Sequence, residues 1–202
     1  MKQTRERTLE ALLAAFNETG YSSLSIRQMA AIAGMSHGNL RYHFERKEDV
    51  LMALLQQMLE KMDKLRNLTH PIDNPLANTL EGIKQRFEIQ HEYRFLFLEQ
   101  VSLGRQYPVY QDYMQTLFRE RTEVMKQQLE KLEGSGLLNP TDWLAMASYL
   151  FFFSMNWMIS AQLFKGQVDQ ADNIKYFARM CFDHLKPHLS ADGEKLYQEI
   201  GQ

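Results

Sequence analysis

Residues 25–44 read SIRQMAAIAGMSHGNLRYHF, and this stretch decides the fold. Ser25 offers a hydroxyl at a helix start, and Gln28, three residues on, completes a capping-box pattern. Ile26, Met29, Ala30 and Ala33 recur at i, i+3, i+4 and i+7, which predicts a helix from Ile26 to about Ala33. Gly34 follows where a tight turn needs a left-handed residue. Ser36 is a second N-cap and opens a short helix through His43. Ala30, Ala33, Met35 and Leu40 are placed to pack the two short helices across each other, which is the pattern of a helix-turn-helix.

The second short helix carries the chemistry. Leu40 and Phe44 share one face at i, i+4 and point into a small core, leaving His37, Asn39, Arg41 and Tyr42 outward. These are donors suited to phosphates and base edges. Gly38 removes a side chain where another backbone has to come close, and the first turn holds no acid to repel phosphate.

Outward from this motif the periodicity is helical nearly throughout, so the fold class is all-α. Leu9, Leu12, Leu13 and Phe16 mark a first helix closed by Gly20-Tyr21. An apolar series from Val50 to Leu65 marks a long fourth helix, about residues 47–67. Thr69-His70-Pro71 and Asp73-Asn74-Pro75 form the strongest break, with Asn74 an N-cap and Pro75 at the first helical position. Pro108 opens a later helix. Gly134-Ser135-Gly136 and Asn139-Pro140-Thr141 close it off from the next, and Pro187 limits a helix beginning near Asp169. Nine or ten helices are expected. The domains are expected at residues 1–48, a helix-turn-helix unit, and 49–202, a helical bundle joined to it by the fourth helix.

Composition removes other classes. One cysteine, Cys181, excludes an intramolecular disulfide framework and a multi-cysteine zinc site. The start, MKQTRERTLEALL, is polar where a secretory signal is apolar, so the expected compartment is the cytoplasm. No phosphate loop, nucleophile elbow or paired catalytic carboxylate occurs, and no cofactor or metal is expected. His184 and His188 have ligand spacing, but Pro187 lies between them and no third ligand stands out. The net charge of −2 splits into 10 basic and 8 acidic residues over 1–66, and 13 basic and 17 acidic over 67–202. The surface facing nucleic acid therefore belongs to the first third.

The same residues identify a resemblance. Ala15-Phe16, Glu18, Gly20-Tyr21, Ser25-Ile26, Met29-Ala30, Ala33-Gly34-Met35-Ser36, Gly38, Leu40, Tyr42-His43-Phe44 and Lys47-Glu48 resemble, in type and spacing, the start of the TetR family of bacterial transcriptional regulators. The resemblance covers about the first 60 residues; the remainder is similar in length and helical pattern only. It implies a double-stranded DNA operator, read in the major groove by the helix from Ser36 to Phe44. It implies phosphate contact at Ser25 and backbone-holding roles for Tyr42 and Lys47. Arg27, Ser36, His37, Asn39, Arg41 and His43 complete the candidate DNA-binding set. His43 stands equally as a packing residue, and Arg27 as a solvated charge. The sequence departs from the family at Arg41, commonly a tyrosine, and at Arg46, often a small cap. Site preference therefore does not transfer, and the fourth helix is expected to be weakly capped.

The resemblance also implies a homodimer and a small apolar or amphipathic effector held in the bundle. Trp143 to Phe164 carries no formal charge and is long enough to span a bilayer, but Ser148, Ser154, Asn156, Ser160 and Gln162 favour a buried or interface helix, and no membrane partner is expected. The dimer elements are expected at about 141–165 and 169–186. Candidate effector contacts are His91, Arg94, Phe95, Tyr113, Asn156 and Trp157, chosen as polar anchors and aromatics in apolar helical context. Two other readings stand beside a ligand-released repressor. One is a DNA-binding regulator whose bundle only dimerises or docks a protein. The other is a helical enzyme or small-molecule carrier.

Overall fold

A computed structural model describes residues 2–66, 73–165 and 171–200. The expected break at Thr69-His70-Pro71, the end of the fourth helix at 67 and the helix start at Asp169 lie outside the described residues. Among the described residues eleven α-helices and one 3₁₀ turn follow in order: α1 Lys2–Thr19, α2 Ile26–Ile32, α3 His37–His43, α4 Lys47–Arg66, α5 Pro75–Glu92, α6 Arg94–Leu98, α7 Gln100–Gln106, α8 Pro108–Gly134, α9 Trp143–Lys165, α10 Ala171–Asp183, the 3₁₀ turn Lys186–His188, and α11 Ala191–Glu199. The protein is all-α, as the periodicity implies.

Eleven helices exceed the nine or ten expected because two departures carry no glycine or proline signal. At Tyr93 and Glu99 the backbone leaves helical geometry, with φ near −107° and −106°, and cuts out the five-residue α6 and seven-residue α7. The other addition, α11, follows the Pro187 stop. Ser190 caps it by accepting from the Gly193 amide, and Arg179 and Asp183 of α10 both bond the Tyr197 hydroxyl at 2.6 Å.

The N-terminal helices close on a core of Leu9, Leu12, Phe16, Met29, Leu40, Phe44 and Val50. This core runs without interruption down α4 through Leu51, Leu54, Leu55, Met58 and Leu59 into the bundle of α5 to α10. The reader unit is therefore packed to the bundle through α1, α4 and α6 rather than tethered by a linker. At the far end, α9 lies against α8 and α10 yet leaves Leu144, Tyr149, Phe152, Leu163 and Phe164 exposed.

Candidate DNA interface, cavity and the tie between them

The helix-turn-helix forms as its caps dictate. Ser25 Oγ accepts from the Gln28 amide, while Gln28 Oε1 accepts from the Ser25 amide at 2.8 Å. Gly34 takes φ +66°, and the Gly34 and Met35 amides donate to the Ala31 and Ala30 carbonyls at 3.0 Å, closing α2 with a left-handed turn. Ser36 Oγ accepts from the Asn39 amide at 3.1 Å to start α3. Leu40 and Phe44 are buried, and the Arg5 guanidinium sits 4.9 Å over the Phe44 ring, holding α1 on α3.

The rest of α3 faces solvent. Ser36, His37, Gly38, Asn39 and Arg41 are exposed, and Tyr42 is 72% exposed although it is aromatic. His43 is half-buried, with its ring edge-on to Tyr42. A Cβ at Gly38 would meet nothing within 4 Å. Ser25 and Arg27 are exposed at the start of α2. Lys47 is different. It is half-buried, its Nζ donates to the Tyr21 carbonyl at 2.7 Å and lies 4.2 Å from the Tyr21 ring, and burial lowers its pKa. Its ammonium is engaged inside the domain. Arg46 offers α4 no cap side chain. Asp49 Oδ2 instead accepts the Arg46 amide at 2.7 Å, so the helix start is held from its first turn.

Two abutting chambers lie in the bundle. The inner, about 100 Å³, is walled by α4, α5, α6, α8 and α9. Its apolar lining includes Met58, Met62, Phe97, Met114 and Phe151, and its polar lining is Arg86, Gln90, Tyr110, Arg121, Gln128 and Ser154. The outer, about 420 Å³, shares Arg86, Met125 and Gln128 with it and reaches Lys131 and Cys181. Gln90 is nearly buried, and its Oε1 accepts from the Trp157 indole at 2.7 Å. Arg121 pairs with Asp63 of α4. Burial pushes the Tyr110 phenol and the Cys181 thiol each up to about 12, so both stay protonated and Cys181 is no nucleophile at neutral pH.

None of the six sequence-selected effector residues lines either chamber. Phe95 turns the other way on short α6, with its ring 5.2 Å from Phe16 and 6.2 Å from Tyr21. Trp157 is buried, stacked 5.0 Å from Phe87, and reaches the cavity only through Gln90. Asn156 is exposed and accepts from Gln100 of α7 at 3.2 Å. His91, Arg94 and Tyr113 are half-buried away from the lining. The polar residues that do line it had a readable signal. Arg86 and Gln90 are spaced i, i+4 on α5, and Arg121 and Gln128 lie one heptad apart on α8 among Met114, Leu117 and Met125.

A third group, which the sequence did not single out, ties the cavity to the reader. Glu99, at the end of α6, takes the loop after α1 in its carboxylate: Oε1 accepts the Tyr21 amide at 2.6 Å, and Oε2 accepts the Ser22 amide at 3.1 Å and the Ser22 hydroxyl at 2.6 Å. Gly20 allows this approach, because φ is +84° and a Cβ there would stand 3.1 Å from Glu99 Oε1. Asn17 of α1 adds a second stitch, donating to the Glu92 carbonyl at 2.6 Å and accepting the Phe95 amide at 3.2 Å. Leu96 and Phe97, three and two residues before Glu99, are cavity wall.

An exposed, capped helix with basic and aromatic side chains, fixed to a helical bundle that holds a cavity, defines the class of one-chain DNA-binding regulators. A profile for the N-terminal part, "Bacterial regulatory proteins, tetR family", matches residues 9–54, and one for "Bacterial transcriptional repressor" of the TetR type matches residues 54–197. The chain belongs to the TetR family of bacterial transcriptional regulators, which are non-enzymatic and bind DNA operators as dimers. The regulator RutR of Escherichia coli is 30% identical over 89 residues, a stretch covering 44% of this chain and only 42% of that one. A TetR-family regulator from Marinobacter aquaeolei shares the fold at TM-score 0.83 and 20% identity, with 97% of this chain and 96% of that one covered. SmeT, a repressor from Stenotrophomonas maltophilia solved with triclosan, aligns at TM-score 0.70 and 23% identity over 94% and 93% of the two chains.

Proposed function

We propose that the protein is a homodimeric repressor that leaves a palindromic operator when a small molecule fills the bundle cavity. Residues 1–48 form the reader and 49–202 the sensor. Ser25, Arg27, Ser36, His37, Asn39, Arg41, Tyr42 and His43 face the DNA, and Lys47 acts from behind by bracing the Tyr21 loop. The dimer forms through α9 and α10, whose exposed Leu144, Tyr149, Phe152, Leu163, Phe164 and Tyr176 make an apolar face that a second copy covers. Two α3 helices then meet successive major-groove faces about 34 Å apart.

The observation that carries ligand release is the position of the inner chamber. Its walls include α4, which begins in the reader, and α6, which ends in the Glu99 clasp. At about 100 Å³ it is smaller than the roughly 150 Å³ that accommodates benzene, so a larger effector must move those walls. A ligand that favours the displaced state lowers operator occupancy, and hundredfold weakening needs about 2.7 kcal/mol of coupling. The complex of SmeT with triclosan supports small-molecule binding by a chain of this fold.

The test is to sequence the genomic fragments that the protein retains. A shared palindrome with half-sites one or two helical turns apart is expected. Arg41→Ala and Tyr42→Ala should each bind it at least tenfold more weakly at matched salt, at about 1–3 kcal/mol per base or phosphate contact. Retention without a shared site, or wild-type affinity in both variants, contradicts the reader assignment.

A further inference from the structure

The charged groups lining the two chambers are of one sign. Arg86 and Gln128 line both, Gln90 and Arg121 the inner, Lys131 the outer, and no aspartate or glutamate is among the described lining residues of either. The geometry sharpens this. The Trp157 indole N–H can only donate, so it fixes the Gln90 amide with Oε1 toward Trp157 and the NH₂ turned away from it, a donor at the cavity wall. Arg121 gives Nη1 to Asp63, which stands outside the lining. A guanidinium has five N–H donors in a planar fork, and one carboxylate leaves others for a second acceptor. Arg86 lies near enough to Cys181 for its positive charge to oppose the rise in the thiol's pKa, which sets its charge at the junction of the chambers.

Cavity walls that carry positive charge and amide donors favour a ligand that accepts and is negative. A carboxylate brings acceptors only, and it matches the guanidinium fork. An ammonium brings donors only and would be repelled by the two guanidiniums. Resting on the effector reading above, we propose that this cavity takes an organic anion. Its acid head sits between Arg86 and Gln90 of α5 and Arg121 and Gln128 of α8, and its apolar body lies among the methionines and Phe97. The head thereby pulls α5 and α8 together while the body presses on α6, the helix that ends in Glu99.

The test uses the whole chain and three eight-carbon probes, octanoate, 1-octanol and octylammonium, below their micelle concentrations; octanoate has one apolar carbon fewer, which works against the expected order. Titration calorimetry and thermal shift are the readouts. Octanoate should bind at least tenfold more tightly than octanol, and octylammonium more weakly than octanol. Gln128→Glu places an acid in the lining with little change of shape. It should weaken octanoate about tenfold more than it weakens octanol, and octanol binding by the variant reports that it is folded. Octanol or octylammonium binding as tightly as octanoate, or Gln128→Glu leaving the octanoate-to-octanol ratio unchanged, overturns the anion proposal while leaving ligand release standing. Binding of none of the three overturns the proposal together with the effector reading beneath it.

Discussion

Removing the Glu99 carboxylate tests the link from bundle to reader. In Glu99→Ala the Tyr21 amide, the Ser22 amide and the Ser22 hydroxyl lose their acceptor together. Hydrogen bonds to a charged group contribute about 1.5–3 kcal/mol each when shielded and less in water. Tyr21 is buried and Ser22 exposed, so the Tyr21 bond keeps most of its value and the two Ser22 bonds little. The sum is about 2 kcal/mol. In a chain of this length that lowers Tm by about 4–8 °C. Where exchange proceeds through local opening, it speeds exchange of the Tyr21 and Ser22 amides about thirtyfold. The Gly34 amide, bonded to Ala31 within the helix-turn-helix, should stay within about twofold once the global change is subtracted. Glu99→Gln keeps one carbonyl oxygen and should fall between. Hydrogen exchange followed residue by residue reads all three. If Tyr21 exchange rises less than about threefold, or rises only as much as Gly34, the clasp is not a local tie. The wall movement would then have to reach the reader through α4 alone.

Three other outcomes follow from the same geometry. Gly38→Ala gains up to about 1 kcal/mol of helix propensity, since nothing within the chain crowds a Cβ there, yet it should weaken operator binding; equal affinity would mean no backbone comes close at that point. Charges placed on the exposed apolar end of α9, Leu163→Glu with Phe164→Glu, should convert a dimer to a monomer by sedimentation without lowering helix content, and an unchanged dimer would move the interface elsewhere. Alkaline pH should destabilise. Burial raises the pKa of Tyr21, Tyr110 and Cys181, so the unfolded chain releases these protons first, from about 9 for the thiol and 10 for the phenols. Their contribution is full below those values and is lost as pH climbs toward the folded ones, while Lys47, lowered by burial, acts in the opposite direction. Tm should therefore fall between about pH 9 and 11, and Cys181→Ala should move the onset from about 9 toward 10.

The reader was legible because its signals are local. Two serine caps, one left-handed glycine and the Leu40–Phe44 pair fix the helix-turn-helix within 20 residues, and no distant contact has to be known. The sensor was not, because its decisive features are tertiary. Whether a residue on α6 faces the cavity or α1 depends on the breaks at Tyr93 and Glu99, which no glycine or proline marks. Phe95 reads as an effector contact, yet it packs on Phe16 and its neighbours Leu96 and Phe97 form the wall. Trp157 and Asn156 are a polar-bearing aromatic and an amide in apolar context, but their partners, Gln90 and Gln100, lie on helices 67 and 56 residues away in sequence. Lys47, which the resemblance implies holds the DNA backbone, has its ammonium on the Tyr21 carbonyl, 26 residues back, a contact that no local pattern reveals.

The most direct measurement is operator affinity with and without a compound that the DNA-free protein binds. Linkage requires reciprocity: a ligand that favours the displaced state must lower DNA affinity by the same factor by which DNA lowers its own. Fluorescence anisotropy on the retained palindrome, titrated with a compound that raises Tm, should show at least a tenfold loss of affinity in the wild type and a smaller loss in Glu99→Ala. A compound that occupies the cavity, stabilises the fold and leaves operator affinity within twofold would show that cavity and reader are uncoupled.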